Sequence, residues 1–404
     1  MRYIFLFCSF ITLLSCKAEK EIYRFEIQDG DGFLQSSPIF LDTEIRGNED
    51  YSQLKLIQNN VTIPFQVDEN KLWFLHTPRG GTYSFEKIES GVNDESVLST
   101  FKKNGNLQLV KGNDPLLTYR YQMTYPPEGV DTIFKKSGYI HPLLSPKGDT
   151  LTRIQPPDHF HHYGIWGPWT HTQIKGEQVD FWNLGDGKGT VLFEEFNNTT
   201  TGEVFAGFNA TQEHIDFITG SSPQNALDEK LDVKLWDLGR SDRYMFDYTS
   251  TFSSPLKDGI IFEAYRYGGG IGMRFDERWH KDNCTVLTSE GHDRLTADGT
   301  NAKWCIVKGE SSDGNGTNGI LFMSHPGNRM HPEPMRIWPI DGNNGRGDMF
   351  FEFCPIRHKE WKIEPNKDYK LTYRMVVFEG DLTAEEAEGY WKIFANNPKS
   401  EILN

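Results

Sequence analysis

The residues best equipped for chemistry lie between Gly138 and Asn183, in the stretch GYIHPLLSPKGDTLTRIQPPDHFHHYGIWGPWTHTQIKGEQVDFWN. Five of the 12 histidines fall here: His141, His159, His161, His162 and His171. Trp166, Trp169 and Trp182 lie among them, with Asp158 and Asp180. A core strand would not carry so many ionisable rings, and a solvated loop would not carry so many indoles. Imidazoles titrate near neutral pH, and indoles offer flat apolar faces, so together they suit a pocket that grips a sugar ring and moves a proton. Any one of these histidines taken alone also reads as a core or surface residue. His159, His161 and His162 together also have the makings of a metal site, since neutral imidazole is a common ligand. No HExxH or CxxC pattern supports that alternative, and no metal or other cofactor is expected. If the segment from Asp158 to Tyr163 is extended, Asp158, Phe160 and His162 share one face and His159, His161 and Tyr163 the other.

The second half of the chain adds polar groups that loops could bring to this cluster. Arg274 sits in the otherwise apolar Gly272–Phe275, and Arg336 sits beside Met335 and Ile337. Both are candidates to clamp a carboxylate; the alternative is pairing with a structural acid. Glu290, in the run Ser289–Arg294, is a further binding candidate, with a solvated turn as its alternative. His325 follows an apolar run and precedes Pro326, which holds its backbone extended, so it is a candidate partner for the histidine cluster. The segment Asp341–Asp348 faintly resembles a calcium loop but lacks the closing glutamate, and reads better as a flexible loop.

These groups need elements to position them. Short runs rich in branched and aromatic residues dominate: Leu54–Ile57, Trp73–His76, Val191–Phe196, Tyr244–Tyr248, Ile260–Tyr265, Gly319–Met323 and Leu371–Phe378. In the last, Leu371, Tyr373, Met375 and Val377 alternate onto one face. Glycine-rich turns separate the runs, and helical patterns are few. The expectation is a mainly β protein: a small N-terminal β-sandwich over 23–105, then a large antiparallel, supersandwich-like β-sandwich over 106–404 that carries the site. One helix is expected at the C-terminus. Thr383 and Glu386 form a capping box, and Ala387, Tyr390, Trp391 and Phe394 make one apolar stripe. No internal repeat stands out. Gly268-Gly269-Gly270 is a turn, since no helical run follows to make it a phosphate loop.

The full chain of 404 residues carries a formal net charge of −15, which argues against nucleic acid as a partner. Arg2 followed by the apolar run Tyr3–Leu14 reads as a leader over 1–15, too short to span a bilayer as a stop-transfer helix. Leu13-Leu14-Ser15-Cys16 resembles the lipobox of bacterial lipoproteins. That resemblance implies cleavage before Cys16, lipidation of its sulfur, a charged tether over 16–22 and a place in the cell envelope, attached to the membrane by lipid. An ordinary secretory signal cut near Ala18 is the alternative. Cys284, Cys305 and Cys354 remain, an odd number without metal spacing, so buried thiols and at most one disulfide are expected.

Longer strings carry a further resemblance. HPLLSPKGDTLT, DHFHHYGIWGPW and VDFW, then IGMRF, KWC and SHPGNRMHP, resemble a widespread bacterial family of secreted proteins often labelled PmoA-like, as a methane oxygenase subunit. The likeness covers roughly 130–380, with DHFHH its most specific part. The sequence has no spanning run beyond its leader, so that label does not suit it. The chain also looks like the oligosaccharide dehydratases of marine ulvan degradation. This resemblance implies removal of water from a glucuronyl or iduronyl residue at the non-reducing end of an anionic oligosaccharide, leaving a 4,5-unsaturated uronyl group. Such a β-elimination needs a base, an acid and a cationic grip on the carboxylate. His141, His159, His161, His162 and His325 are then the proton carriers, with Asp158 orienting one imidazole. Arg274, Arg336 and Glu290 hold the substrate, and Trp166 or Trp169 stacks on it. A glycan-binding lipoprotein without turnover, and a metal-dependent glycoside-processing enzyme, are the competing readings.

Overall fold

A computed structural model describes residues 21–30, 33, 35–43, 50–79, 81–88 and 98–403. The expected leader, Cys16 and the tether up to residue 20 lie outside the described residues. The backbone of residues 21 and 22 already belongs to the first strand, Glu21–Ile27.

The chain folds as a mainly β structure, as its alternating runs demand. Leu54–Gln58 and Lys71–His76 bury every second side chain, the signature of a strand with one wet face. A five-stranded and a three-stranded sheet make up the smaller sandwich. Its core is built from Phe25, Ile39, Leu56, Phe74, Tyr83 and Phe85.

A nine-stranded and an eight-stranded antiparallel sheet form the larger sandwich. Leu371, Tyr373, Met375 and Val377 all point between these sheets, into one continuous core with Phe246, Phe322 and Phe351. The alternate residues Val376 and Phe378 face outward and join a second core with Trp236, Met245 and the C-terminal helix. The eight-stranded sheet is therefore apolar on both faces along part of its length. Leu98–Lys103 pairs with Asn106–Lys111 in the nine-stranded sheet, which places this strand with the larger sandwich.

The helix spans Ala384–Ala395 with the expected capping box. The Thr383 hydroxyl accepts from the Glu386 N–H at 3.2 Å, and Glu386 Oε2 accepts from the Thr383 N–H at 2.9 Å. Tyr390 and Phe394 pack on the larger sandwich, whereas Ile393 enters the core of the smaller one. The final strand, Ser400–Leu403, then pairs with Glu21–Ile27. No helix among the described residues is long and apolar enough to cross a membrane. The three cysteines are buried and free.

Candidate functional site

Antiparallel pairing sets Ile165 opposite Met273 and Trp166 opposite Gly272. Ile165 and Met273 turn into the sandwich core. Strand alternation sends Trp166 and Arg274 to the outer face of the nine-stranded sheet. There Trp166 joins Tyr139, Tyr163, Trp182, Trp338 and Phe350 in a separate apolar layer.

The segment bearing the histidines lies on this layer, and it is not extended. The His159 N–H donates to the Pro156 carbonyl at 2.9 Å, the His162 N–H to the His159 carbonyl at 3.0 Å, and the Gln155 N–H to the His162 carbonyl at 2.8 Å. Two prolines open the segment and make a turn cheaper than a strand here. The alternation of faces expected for Asp158–Tyr163 therefore does not occur. Instead the three imidazoles meet: His159 and His162 stack at 4.7 Å, and His161 stands edge-on to them at 5.4 and 4.8 Å. Among the described residues, no group of three or more His, Cys, Asp or Glu is arranged to hold a metal ion.

Arg274 ties this turn to the sheet. Its Nη2 donates to Asp158 Oδ2 at 2.8 Å and to Asp348 Oδ2 at 2.7 Å, and its guanidinium lies 4.6 Å over the Trp338 ring. Asp158 Oδ2 in turn accepts from His159 Nδ1 at 2.8 Å. The order is thus Asp348, Arg274, Asp158, His159, running from the interior to the surface. Arg274 is only 1 % exposed, which explains why it takes two carboxylates: a buried guanidinium is costly unless paired. Burial alone would raise the Asp158 pKa, but the His159 hydrogen bond and the Arg274 charge hold it well below the usual carboxylate range.

The imidazoles differ in their surroundings. His162 lies stacked on Phe350 at 5.4 Å, and burial, then the nearby His161, Arg274 and His159, depress its pKa well below the ordinary value. His161 keeps part of its surface exposed, yet burial first and His159 second lower its pKa to about 4. It is neutral at pH 7. His159 is about one-third exposed, with Nδ1 fixed by Asp158 and Nε2 free to face a ligand. Three buried polar atoms in this cluster find no hydrogen-bond partner among protein atoms: His162 Nδ1, Trp166 Nε1 and Arg274 Nη1.

The remaining expected residues part company here. His141 lies two positions along its strand from Tyr139, with Nδ1 2.9 Å from the Thr152 hydroxyl; burial and Arg120 lower its pKa to about 4. Trp169 is a correction. It points into the main core, stacked on Phe262 at 4.0 Å, and meets no ligand. Trp166 is 2 % exposed and forms the floor of the cluster, so it does not stack on a sugar from solvent. Arg336 does not clamp a carboxylate from outside: it is buried, pairs with Asp298 at 2.8 Å and donates to the Tyr267 hydroxyl at 3.0 Å. Glu290 is an exposed turn residue bonded to the Ser289 hydroxyl at 3.0 Å. His325 is also a correction. It follows the strand Thr317–Ser324 of the eight-stranded sheet and rests on Phe394 at 5.3 Å, away from His159, His161 and His162.

Sequence reasoning missed three members of the site. Asp348 closes the loop that faintly resembled a calcium site; here it anchors Arg274 and accepts from Asn343 Nδ2 at 2.8 Å. The Tyr267 hydroxyl accepts from Trp338 Nε1 at 3.1 Å as well as from Arg336. Arg266 is exposed and lies 5.5 Å over the Tyr267 ring. Only the aspartate had a signal, a polar residue set directly before the apolar run Met349–Phe351.

A sequence model of a family of unknown function (DUF6807) matches residues 106–392. No curated protein matches the chain. Among solved structures, a galactose mutarotase-related enzyme from Lactobacillus acidophilus aligns over 70 % of this chain and 100 % of its own, at 10 % identity and a TM-score of 0.32. A galactose mutarotase-like protein from Lactobacillus casei aligns over 69 % of this chain and 99 % of its own, at 9 % identity and a TM-score of 0.35.

Proposed function

We propose that this chain, which belongs to the family of unknown function DUF6807, is a carbon–oxygen lyase that removes water from a uronyl residue at the non-reducing end of an acidic oligosaccharide. The observation that carries the reading is the order Arg274, Asp158, His159 ending beside a neutral His161 at the protein surface. In this reaction the C5–H bond breaks and its electrons form the C4–C5 double bond. The C4–O bond breaks, and the hydroxyl leaves as water after gaining a proton. Nothing is oxidised or reduced. His161, unprotonated at neutral pH, takes the C5 proton. His159 delivers a proton to the departing hydroxyl from Nε2, with its ring held in orientation by the Asp158 contact at Nδ1. Arg266, exposed over the ring of Tyr267, is the cation proposed to take the substrate carboxylate as negative charge grows there. Arg274 is a positioning residue, since its partners are already carboxylates of the protein. The chain's resemblance to oligosaccharide dehydratases favours the same reading, and a lipid anchor at Cys16, proposed with it, would hold the enzyme in the cell envelope near polysaccharide.

Saturated glucuronyl-rhamnose oligosaccharides incubated with purified protein should gain the ultraviolet absorbance of a conjugated alkene. The His159→Asn variant should be slower by about 10²- to 10⁴-fold in kcat. No absorbance gain from any uronyl substrate ends the proposal; saturable binding without it would favour a glycan-binding protein instead.

A further inference from the structure

The larger sandwich has a second polar surface, on the face opposite the histidine cluster. Where the C-terminal helix ends, the outer face of the eight-stranded sheet changes from apolar to charged, and the smaller sandwich roofs it. The result is a groove of about 950 Å³, room for several sugar rings. Strand register arranges its floor in rows. Lys234, Asp247 and Arg374 lie side by side, then Asp232, Thr249 and Thr372, then Lys230, Thr251 and Lys370. The roof contributes Phe40, Lys71 and Trp73.

The charges here are not mutually cancelled. Arg374 is satisfied by Asp247 at 2.6 and 2.9 Å, and Lys234 by Asp68 at 2.9 Å and Asp232 at 3.3 Å. These pairs use every carboxylate of the groove except Glu69. Lys71, Lys230 and Lys370 remain against Glu69, with Asp42 and Glu69 acting on Lys71, so Lys230 and Lys370 are the cations left without a carboxylate of the groove. Lys71 is half-buried with its ammonium 4.2 Å over the Phe40 ring, and burial, then Lys370 and Lys234, depress its pKa. A chain with a net charge of −15 thus gathers cations in one recess, beside threonine hydroxyls spaced by the sheet. An ammonium wants an anion, hydroxyl rows suit a hydroxylated ligand, and a local cluster of cations draws the anionic groups of such a ligand into the recess.

We propose that this groove is a second binding site, for a sulfate- or carboxylate-bearing sugar chain. It is independent of the reaction assigned to the histidine cluster, and would hold an acidic polysaccharide while its end is processed elsewhere. The test is binding of the full chain to sulfated dextran, polygalacturonate and neutral dextran by affinity electrophoresis and calorimetry. Binding to at least one acidic polymer and none to neutral dextran is expected, weakening as salt rises. Whichever acidic polymer binds identifies sulfate or carboxylate as the group recognised. The exposed-residue variant Lys230→Glu/Lys370→Glu should bind at least tenfold more weakly with an unchanged melting temperature, and Lys230→Gln/Lys370→Gln should show a smaller loss. His159→Asn should bind like the unmodified protein. No binding to either acidic polymer, equal binding to neutral dextran, tighter binding to single-stranded DNA, or full affinity in both lysine variants would overturn the proposal.

Discussion

Asp348 shows how a single side chain decides the site. It is 2 % exposed and holds the Arg274 guanidinium from the interior side. Replacing it by alanine leaves a buried cation short of one partner, a loss of about 3 kcal/mol that urea unfolding will read. Activity should fall further than stability accounts for, because Asp158 then loses its fixed position under His159. The imidazoles also make a stereochemical prediction. His159 and His161 belong to one turn and approach a ligand from one side, so proton and hydroxyl leave from the same face of the ring. In a glucuronyl residue H5 and O4 share a face, and in an iduronyl residue they do not. Chromatographic product analysis should therefore show glucuronyl ends consumed much faster than iduronyl ends; equal rates would rule out a one-sided mechanism. The imidazoles proposed to carry this chemistry stood out in the sequence as a dense string of histidines. Asp348 and Tyr267 were not, since each meets its partner from about 70 positions away, and only strand register brings them together.

At the scale of elements, the turn over 155–164 positions Asp158, His159, His161 and His162. It is stitched to the sheet by the Arg274 N–H donating to the Gly164 carbonyl and the Arg153 N–H donating to the Arg274 carbonyl, at 2.9 and 3.0 Å. Gly164 has φ of +58°, and a Cβ there would stand 2.2 Å from the Ile140 carbonyl oxygen. Gly164→Ala must therefore shift either the turn or the neighbouring strand. A melting temperature lowered by several degrees and nearly complete loss of turnover are expected, from calorimetry and the absorbance assay. The strands were readable because alternation is a strict consequence of the pleat; Leu371, Tyr373, Met375 and Val377 fell on the core face as their pattern required. The turn was not. Six residues of mixed polarity fit either an extended or a folded segment, and hydrogen bonds within the turn settled the matter. Trp169 and Trp166 read alike in sequence, yet one turns into the sandwich and the other onto its outer face.

For the whole molecule, buried neutral histidines couple stability to pH. The His161 pKa is lowered from 6.5 to about 4, so the unfolded chain binds its proton first as pH falls. The contribution of this residue is complete above pH 6.5 and is lost on acidification through 4. In His161→Gln, the decline of melting temperature between pH 6.5 and 4 should be shallower than in the unmodified protein, as scanning calorimetry can measure. A steeper decline would mean that His161 is charged in the folded state. The pairing of Ser400–Leu403 with Glu21–Ile27 has a consequence for biosynthesis. Most of the smaller sandwich is translated before the larger one, but its edge strand, and the Ile393 side chain that enters its core, are translated after it. A ribosome-bound intermediate must therefore carry that sheet, with one border open, until the whole of the larger sandwich has been synthesised.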